Sequence, residues 1–530
     1  MPNDCITFQN SGYFSQLIID YLNQEEKVQS LYHRFPSIES FELQMDEKKN
    51  NFSVENRTVL VSQLEEQNSV LEISEVTKQN INSLKSENTF TVTTGHQLNL
   101  FTGPIYFIYK IVTTIKLAQE LKKSFPNKNF VPMYWMATED HDFDEINHFK
   151  FEGNKISWQK ESKGPVGRLS TNGLDKVLDE FSHLLNSSKN ATFLKELFKK
   201  SYLEHTNLAQ ATRFLVNELF GEFGLVILDG DDIPLKKIFL PYIEEELLNK
   251  ENHIKVLETS KLLEDYKIQV NPREINLFYI TDTIRERIIF EDNLYKINNT
   301  LLSFTKSEIL VELKNYPERF SPNVILRPLY QETILPNLAY VGGGGEIAYW
   351  LQLKSMFKIN KVSFPILQLR NSALIVTEKQ NKKIQKLNLS WKELFLKENE
   401  LLTNKTDEFS NISFDFEEQK FFLQQQFEKL REIANHTDPS FLGAVEAQEA
   451  KQIKGLEKLE KRLLKAEKRN HQEKLERILS LKKELFPNQG LQERTINFSE
   501  ISMNIEPEEF IKLLFSNFKP FTNNFNILFL

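Results

Sequence analysis

Apolar residues in this chain follow two rhythms. Short, near-continuous runs occur at Thr89–Thr93, Phe130–Ala137 (FVPMYWMA), Gly224–Asp229 (GLVILD), Leu338–Val341 and Ser363–Leu369 (SFPILQL). Runs of this length, rich in β-branched and aromatic side chains, predict strands buried on both faces. Between them the apolar spacing changes to three and four. Ile105, Ile108, Ile111, Val112, Ile115 and Leu117 predict a helix over 105–121, with Pro104 in the first turn where a helix tolerates it. Leu184, Leu185, Phe193, Leu197 and Phe198 give an apolar face to a helical stretch over 178–219, and 234–249 reads as a further helix. Strands alternating with helices predict an α/β fold with a parallel sheet.

Other stretches keep different patterns. Residues 1–88 are polar and read as a helical layer or a subunit contact. A β-rich insertion is expected over 146–175, and a second insertion over 250–320, with Asn276–Ile280 and Arg287–Phe290 as antiparallel strands. From about Leu374 glycine becomes rare and charge rises. Leu456, Leu459, Leu463 and Ala466 recur at heptad spacing, and the phase shifts after Asn470 to Leu475, Ile478, Leu479 and Leu485. This predicts a coiled-coil arm or an antiparallel helical hairpin. Its partner helix is read as Phe414–Ile433, with Pro439 and Gly443 in the bend. The apolar ending NFNILFL reads as a strand or docking tail. The expected division is a core over 1–375 with insertions at about 146–215 and 250–320, a helical domain over 376–490, and a segment over 491–530 that returns to the core.

Composition narrows the function. At 530 residues the chain exceeds one simple core. A net charge of −8 with no dominant basic block argues against nucleic acid as a partner. The lone cysteine, Cys5, excludes internal disulfides and multi-cysteine metal sites, and it lies in a start expected to be mobile. There is no basic segment followed by an apolar run at the start, and no apolar stretch approaches the roughly 20 residues of a membrane span. A cytoplasmic location without membrane attachment is the expectation.

The candidate chemistry sits where predicted strands end. Thr94-Gly95-His96-Gln97, Glu139-Asp140-His141-Asp142 and Asp229-Gly230-Asp231-Asp232 each follow an apolar run. Open α/β sheets bind ligands at the carboxyl ends of their strands, and helix N-termini supply N–H donors for anions. Asp140, His141, Asp142, Asp144 and Glu145 crowd together within six residues. Like charges oppose one another's ionisation unless a cation relieves them, so an amine, a metal or Mg²⁺-bound phosphate is indicated nearby. His96, His141 and His148 are also donors of the kind that bind zinc, but a hydrogen-bonded strand edge is the plain alternative, ligand contact through Asp140–Asp142 is preferred, and no structural metal is expected. Gly342–Gly345 precede a helix beginning near Glu346 and read as a loop that lets backbone approach a ligand. The run is neither a Walker A loop nor G-x-G-x-x-G. Arg327 suits a carboxylate ligand or an internal ion pair with Glu332. No G-x-S-x-G elbow is present, which leaves nucleophilic hydrolysis without support.

Four stretches together resemble the bacillithiol biosynthesis BshC family. They are Thr94–Gln97 with Leu100–Pro104, Trp135 through Phe143, Arg327-Pro328-Leu329 with Gln331-Glu332, and Gly342–Trp350. The resemblance extends over essentially the whole chain. It implies a Rossmann-like core related to class I aminoacyl-tRNA synthetases and nucleotidyltransferases, connecting insertions, and a coiled coil that makes a homodimer. The implied reaction adds L-cysteine to glucosaminyl-malate as an amide, with ATP and Mg²⁺ as the expected means of carboxylate activation. Under that resemblance Gly95, His96 and Gln97, with Thr94, Asn99, Thr102 and Gly103, would hold phosphate or the reacting carboxylate. Asp140 and Asp142, beside Glu139, would bind an ammonium group or deprotonate the amine, with His141 as an alternative base. Gly342, Gly343, Gly344, Gly345, Glu346 and Tyr349 would meet the nucleotide or sugar. Arg327, with Gln331, would take the malate carboxylate. No K-M-S-K-S run is present. The competing expectation is a non-catalytic, nucleotide-binding scaffold protein with a synthetase-like core; a tRNA-binding paralogue is disfavoured by the acidic balance.

Overall fold

The computed structural model describes residues 4–410, 412 and 414–530. Five parallel strands form the central sheet: β1 (Thr89–His96), β2 (Asn129–Met136), β3 (Val226–Asp229), β4 (Asn337–Gly342) and β5 (Ile366–Leu369). Each predicted apolar run supplies one of them. Phe90, Val92, Phe130, Leu338, Val341 and Ile366 pack in one cluster with Leu117 and Leu121 of helix α1 (Tyr106–Ser124) and with Phe41 and Met45 of the helix Ile38–Asn51. Burial of each large apolar side chain contributes roughly 1.5–3 kcal/mol, so this cluster fixes the sheet.

The strand order is β5-β4-β1-β2-β3. The chain lays down β1, β2 and β3 in one direction, then returns to place β4 on the other side of β1. The crevice beyond the carboxyl ends of β1 and β4 is therefore a topological switch point. Asn337 ties these two strands, accepting the hydroxyls of Thr91 at 3.1 Å and Thr93 at 2.8 Å. Three helices carry residues to this edge: α2 (Ile233–Leu248), α3 (Leu326–Ile334) and α4 (Gly344–Trp350).

Several expectations change in detail. The stretch 178–219 is three helices, Leu174–Leu184, Lys189–Leu203 and Leu208–Phe220, because Ser188 and Asn207 cap new helix starts. The first insertion contributes the hairpin His148–Phe151 and Asn154–Ser157. In the second insertion, Leu277–Ile280 and Arg285–Glu291 pair antiparallel within a five-stranded sheet. Cys5 does not lie in a mobile start. It belongs to the strand Asp4–Thr7, which pairs antiparallel with Asn524–Phe529, a partner too distant in sequence for local pattern to show.

The chain divides into two compact units. One contains residues up to Gln9, Tyr13–Leu374 and Gln492–Leu530; the other contains Asn10–Gly12 and Ile375–Leu491. The second unit is helical. Its helices α5 (Glu417–Ala434) and α6 (Pro439–Asn470) pack antiparallel, with Lys420 paired to Glu460 at 3.0 Å and Arg431 paired to Glu449. Phe427, Ala434 and Val445 form their shared core. Pro439 starts α6 and Gly443 lies within it, so neither is in the bend, which is residues 435–438. Asp438 supplies the cap, accepting from the Ser440 N–H at 2.8 Å. The phase shift after Asn470 is a break at His471, followed by α7 (Gln472–Leu485). No helix among the described residues is long and apolar enough to cross a membrane.

Candidate active site

A cavity of about 740 Å³ opens over the switch point in the first unit. The ends of β1, β2 and β4 form its floor. Phe278, Arg285 and Arg287 of the second insertion wall one side, and Arg494 reaches it from the C-terminal segment.

Lys110 on α1 organises the floor. Its ammonium donates to the Gly95 carbonyl and to both carboxylate oxygens of Glu346, at 2.9 and 2.8 Å. Glu346 also accepts the Tyr340 hydroxyl at 2.6 Å and the Gly343 N–H at 2.9 Å. Burial alone would push the Glu346 carboxyl up, but the Lys110 charge and these hydrogen bonds hold it down at about 2. Lys110 thereby joins the end of β1 to the start of α4.

The glycines do not form a loop. Gly342 ends β4, Gly343 caps α4, and Gly344 and Gly345 stand in its first turn. None has a positive φ. What Gly342 provides is close packing, since a Cβ there would lie 3.0 Å from the Glu346 Cβ. Only Gly343 and Gly345 of the four line the cavity. Gly344 faces Ile18 and Phe14 instead.

Arg327, in the first turn of α3, projects into the cavity between the rings of Trp135 and Tyr340, with centroids at 5.9 and 5.6 Å. It donates to Gln331 at 3.0 Å and to the Tyr349 hydroxyl at 3.2 Å. Among the described residues no carboxylate lies within ion-pair distance of it. Glu332 is not its partner: that side chain is buried with Lys48 at 3.5 Å and accepts from Gln331 at 2.9 Å. Gln331 is itself fully buried outside the cavity, where it fixes Arg327 and cannot touch a ligand.

The acidic end of β2 separates into different roles. Glu139 is neutralised by the buried Lys236 of α2. Asp140 accepts from Gln97 at 2.8 Å and from the His141 N–H at 2.7 Å. Burial opposes its ionisation, yet these hydrogen bonds and Arg285 hold its carboxyl well below the usual range. The Arg285 guanidinium lies over Phe278 and donates to His141 Nδ1 at 2.6 Å. Arginine cannot accept a hydrogen bond, so Nδ1 is the lone-pair nitrogen and the proton is on Nε2. The His141 lone pair is thus already engaged, which removes this residue as an alternative base in this arrangement. Asp142 is mostly exposed at the rim.

The zinc donor set is not assembled. Asp140, His141 and Asp142 offer ligand atoms within 4.8 Å of one another, but His96 and His148 are not among them. His148 instead bonds to Asn147 at 3.1 Å. Arg285 engages the His141 Nδ1 lone pair of this cluster at 2.6 Å.

His96 packs on Phe107 and Tyr106, with centroids at 5.0 and 5.4 Å. Burial, with Lys110 and Arg370 nearby, pushes its imidazole down to about 3. It is neutral and cannot hold phosphate by charge. Thr94, Asn99, Thr102 and Gly103 do not line the large cavity. Thr94 clasps β4 through the Val341 carbonyl at 2.7 Å. The 97–105 connection is a buried turn, held by Asn497, which donates to the carbonyls of Phe101 at 2.7 Å and Gly103 at 2.6 Å. Gly103, at φ 62°, admits no Cβ because Asn99 would lie 2.6 Å away.

Of the expected residues, the fold brings Gly95, His96, Gln97, Glu139, Asp140, His141, Asp142, Arg327, Gly343, Gly345, Glu346 and Tyr349 around one cavity. Sequence reasoning missed Lys110, Tyr340, Arg285 and Arg494. The visible signal for Lys110 was a lysine inside an otherwise apolar helix face; the arginines arrive from distant segments and gave none.

Two family profiles cover the chain. That described as "Bacillithiol biosynthesis BshC, N-terminal Rossmann-like domain" matches residues 1–371, and "Bacillithiol biosynthesis BshC, C-terminal coiled-coil domain" matches 373–530. A protein of Flavobacterium psychrophilum is 59% identical over 100% of this chain and 99% of its own length. One of Flavobacterium johnsoniae is 58% identical over all of both chains, and one of Bacillus cereus is 29% identical over 91% of this chain and 92% of its own. Each carries the name "Putative cysteine ligase BshC".

Proposed function

Because the chain belongs to the bacillithiol biosynthesis BshC family, we propose that it is a ligase joining the carboxyl carbon of L-cysteine to the amine of glucosaminyl-malate. One observation carries the reading. The cavity holds a guanidinium with no carboxylate partner among the described residues, Arg327, and a carboxylate held ionised, Asp140. Both substrates bear amine and carboxylate groups that match these poles.

A free carboxylate does not condense with an amine in water, so activation by ATP is part of the proposal. A cysteine carboxylate oxygen attacks the α-phosphorus and pyrophosphate leaves. The sugar amine then attacks the activated carbonyl, loses a proton, and AMP departs. Arg285, Arg287 and Arg494 supply positive charge for the phosphates. Arg327 takes the malate carboxylate. Asp140, too weak a base at its lowered pKa, anchors an ammonium group; Asp142 is left as the acceptor of the amine proton. Gly95, Gln97, Gly343, Gly345, Glu346 and Tyr349 shape the floor. Mg²⁺ enters, if used, with the nucleotide, and no step here depends on it. The enzyme works in the cytoplasm, where ATP and cysteine are supplied.

We also propose a homodimer formed through the helical unit. Phe421, Phe422 and Phe441 of α5 and α6 are 54, 52 and 46% exposed, an unusual cost for a lone helical pair. Sedimentation of the full chain should give twice the monomer mass, and Phe421→Glu with Phe422→Glu should return it to one.

The deciding experiment incubates the full chain with glucosaminyl-malate, L-cysteine, Mg²⁺ and ATP, and follows products by mass spectrometry. The thiol product with AMP and pyrophosphate is expected. ADP and phosphate would replace the adenylate with an acyl phosphate. Nucleotide bound without any cysteine consumed would make the protein a non-catalytic scaffold.

A further inference from the structure

His96 lines two spaces. Besides the large cavity, it borders a chamber of about 10 Å³ shared with Asn99, Thr102 and Thr212 and walled by Phe107 and Leu215. Four buried polar atoms here lack a hydrogen-bond partner among the described residues: His96 Nε2, Asn99 Oδ1, Thr102 Oγ1 and Thr212 Oγ1. Asn99, Thr102 and Thr212 are only 8, 4 and 4% exposed. An unpaired buried polar atom costs roughly 1–3 kcal/mol, and four of them, three from residues 96–102 and one from the helix that carries Thr212, converge here. A single water needs roughly 10–15 Å³ of such space and two to four polar partners.

We propose that this chamber is a binding site for one water molecule, and that this water fixes the tautomer of His96. The donor and acceptor inventory allows a complete set. The Thr102 and Thr212 hydroxyls donate to the water oxygen. The amide oxygen of Asn99 only accepts, so one water hydrogen goes to it. The other goes to His96 Nε2. A neutral imidazole has one proton, which is then on Nδ1, in a ring that also borders the large cavity. A cation is a poor occupant, since Lys110 and Arg370 already bear on the same imidazole. His96 thus presents a neutral N–H donor, and Thr212, on the helix Leu208–Phe220, is a positioning residue acting through the water.

The test is a crystal structure of the full chain together with ¹⁵N NMR of its histidines, with Thr212→Val and Thr212→Ser compared. The wild type and Thr212→Ser should show an ordered water within hydrogen-bond reach of all four positions, and His96 protonated at Nδ1. Thr212→Val should lose or displace the water and move the Nε2 resonance toward the protonated range. The inference is overturned if the wild type shows no water there, if the hydroxyls have turned onto protein carbonyls, or if its His96 carries the proton on Nε2. Neither readout uses turnover, so the water site stands or falls separately from the ligase reading.

Discussion

Two strand ends carry nearly the same acidic lettering, Glu139-Asp140-His141-Asp142 after β2 and Asp229-Gly230-Asp231-Asp232 after β3, and they meet different fates. After β3 every carboxylate is consumed by the protein. Asp229 accepts from Thr138, Asp231 takes Arg168 at 2.9 and 3.0 Å with Lys236 at 3.5 Å, and Asp232 caps α2 through the Leu235 N–H at 3.0 Å. After β2 Glu139 is taken by Lys236, while Asp140, though held by Gln97 and the His141 N–H, still lines the cavity together with Asp142. An acidic run at a strand end is therefore no site in itself. What separates the two is whether carboxylates are left lining the cavity, and strand order decides that, because β3 is the sheet edge while β2 neighbours the switch strand β1.

That contrast can be attacked from its structural side first. Asp231→Asn removes the carboxylate that Arg168 and Lys236 share, leaving them Asp282 and Glu139, and should cost about 3 kcal/mol in denaturant unfolding while substrate affinity holds. A loss of affinity with unchanged stability would reverse the roles assigned to the two ends. The floor ion pair gives an acid signature. The Glu346 pKa is depressed from 4.5 to about 2, so its stabilisation is fully present above pH 4.5 and is lost as pH falls toward about 2. It amounts to about 3 kcal/mol, and Glu346→Gln should flatten that part of the stability–pH curve relative to wild type. On the ligand side, Arg327→Met should lower kcat/KM about 100-fold, chiefly through KM for glucosaminyl-malate, with stability changed by about 1 kcal/mol at most. The smallest effect is reserved for Asp140→Asn. It should reduce kcat/KM about tenfold, and the steady-state pH profile should keep its acidic limb, because Asp140 anchors rather than transfers protons.

The sheet was legible because five apolar runs alternate with helical spacing, and burial on both faces leaves that signature in composition. The positions of Gly95, Asp140 and Arg327 followed from strand ends and from residue type. Their partners did not. Lys110 reads as one more polar residue on a helix until β1 and β4 are known to be neighbours, and the pairing of Gln331 with Glu332 rather than a ligand depends on Lys48, far away in sequence. The glycine run misled because its local cause, absence of side chains, serves packing against Glu346 instead of an open cradle. Neutral His96 could not be foreseen, since its lowered pKa comes first from burial in the folded core and then from cations contributed by α1 and by the residue after β5.

The clasp by Asn497 has a consequence for how the protein is made. The turn at Phe101–Gly103 emerges early from the ribosome, but the amide that holds its carbonyls is translated only after the whole helical unit. The same is true of Glu493, which pairs with the buried Arg370 at 2.7 Å. Until residues 492–530 arrive, the nascent core has an unclasped turn and a buried cation without its counter-charge. Synthesis order thus places completion of the cavity wall, to which Arg494 contributes, after translation of the helical unit.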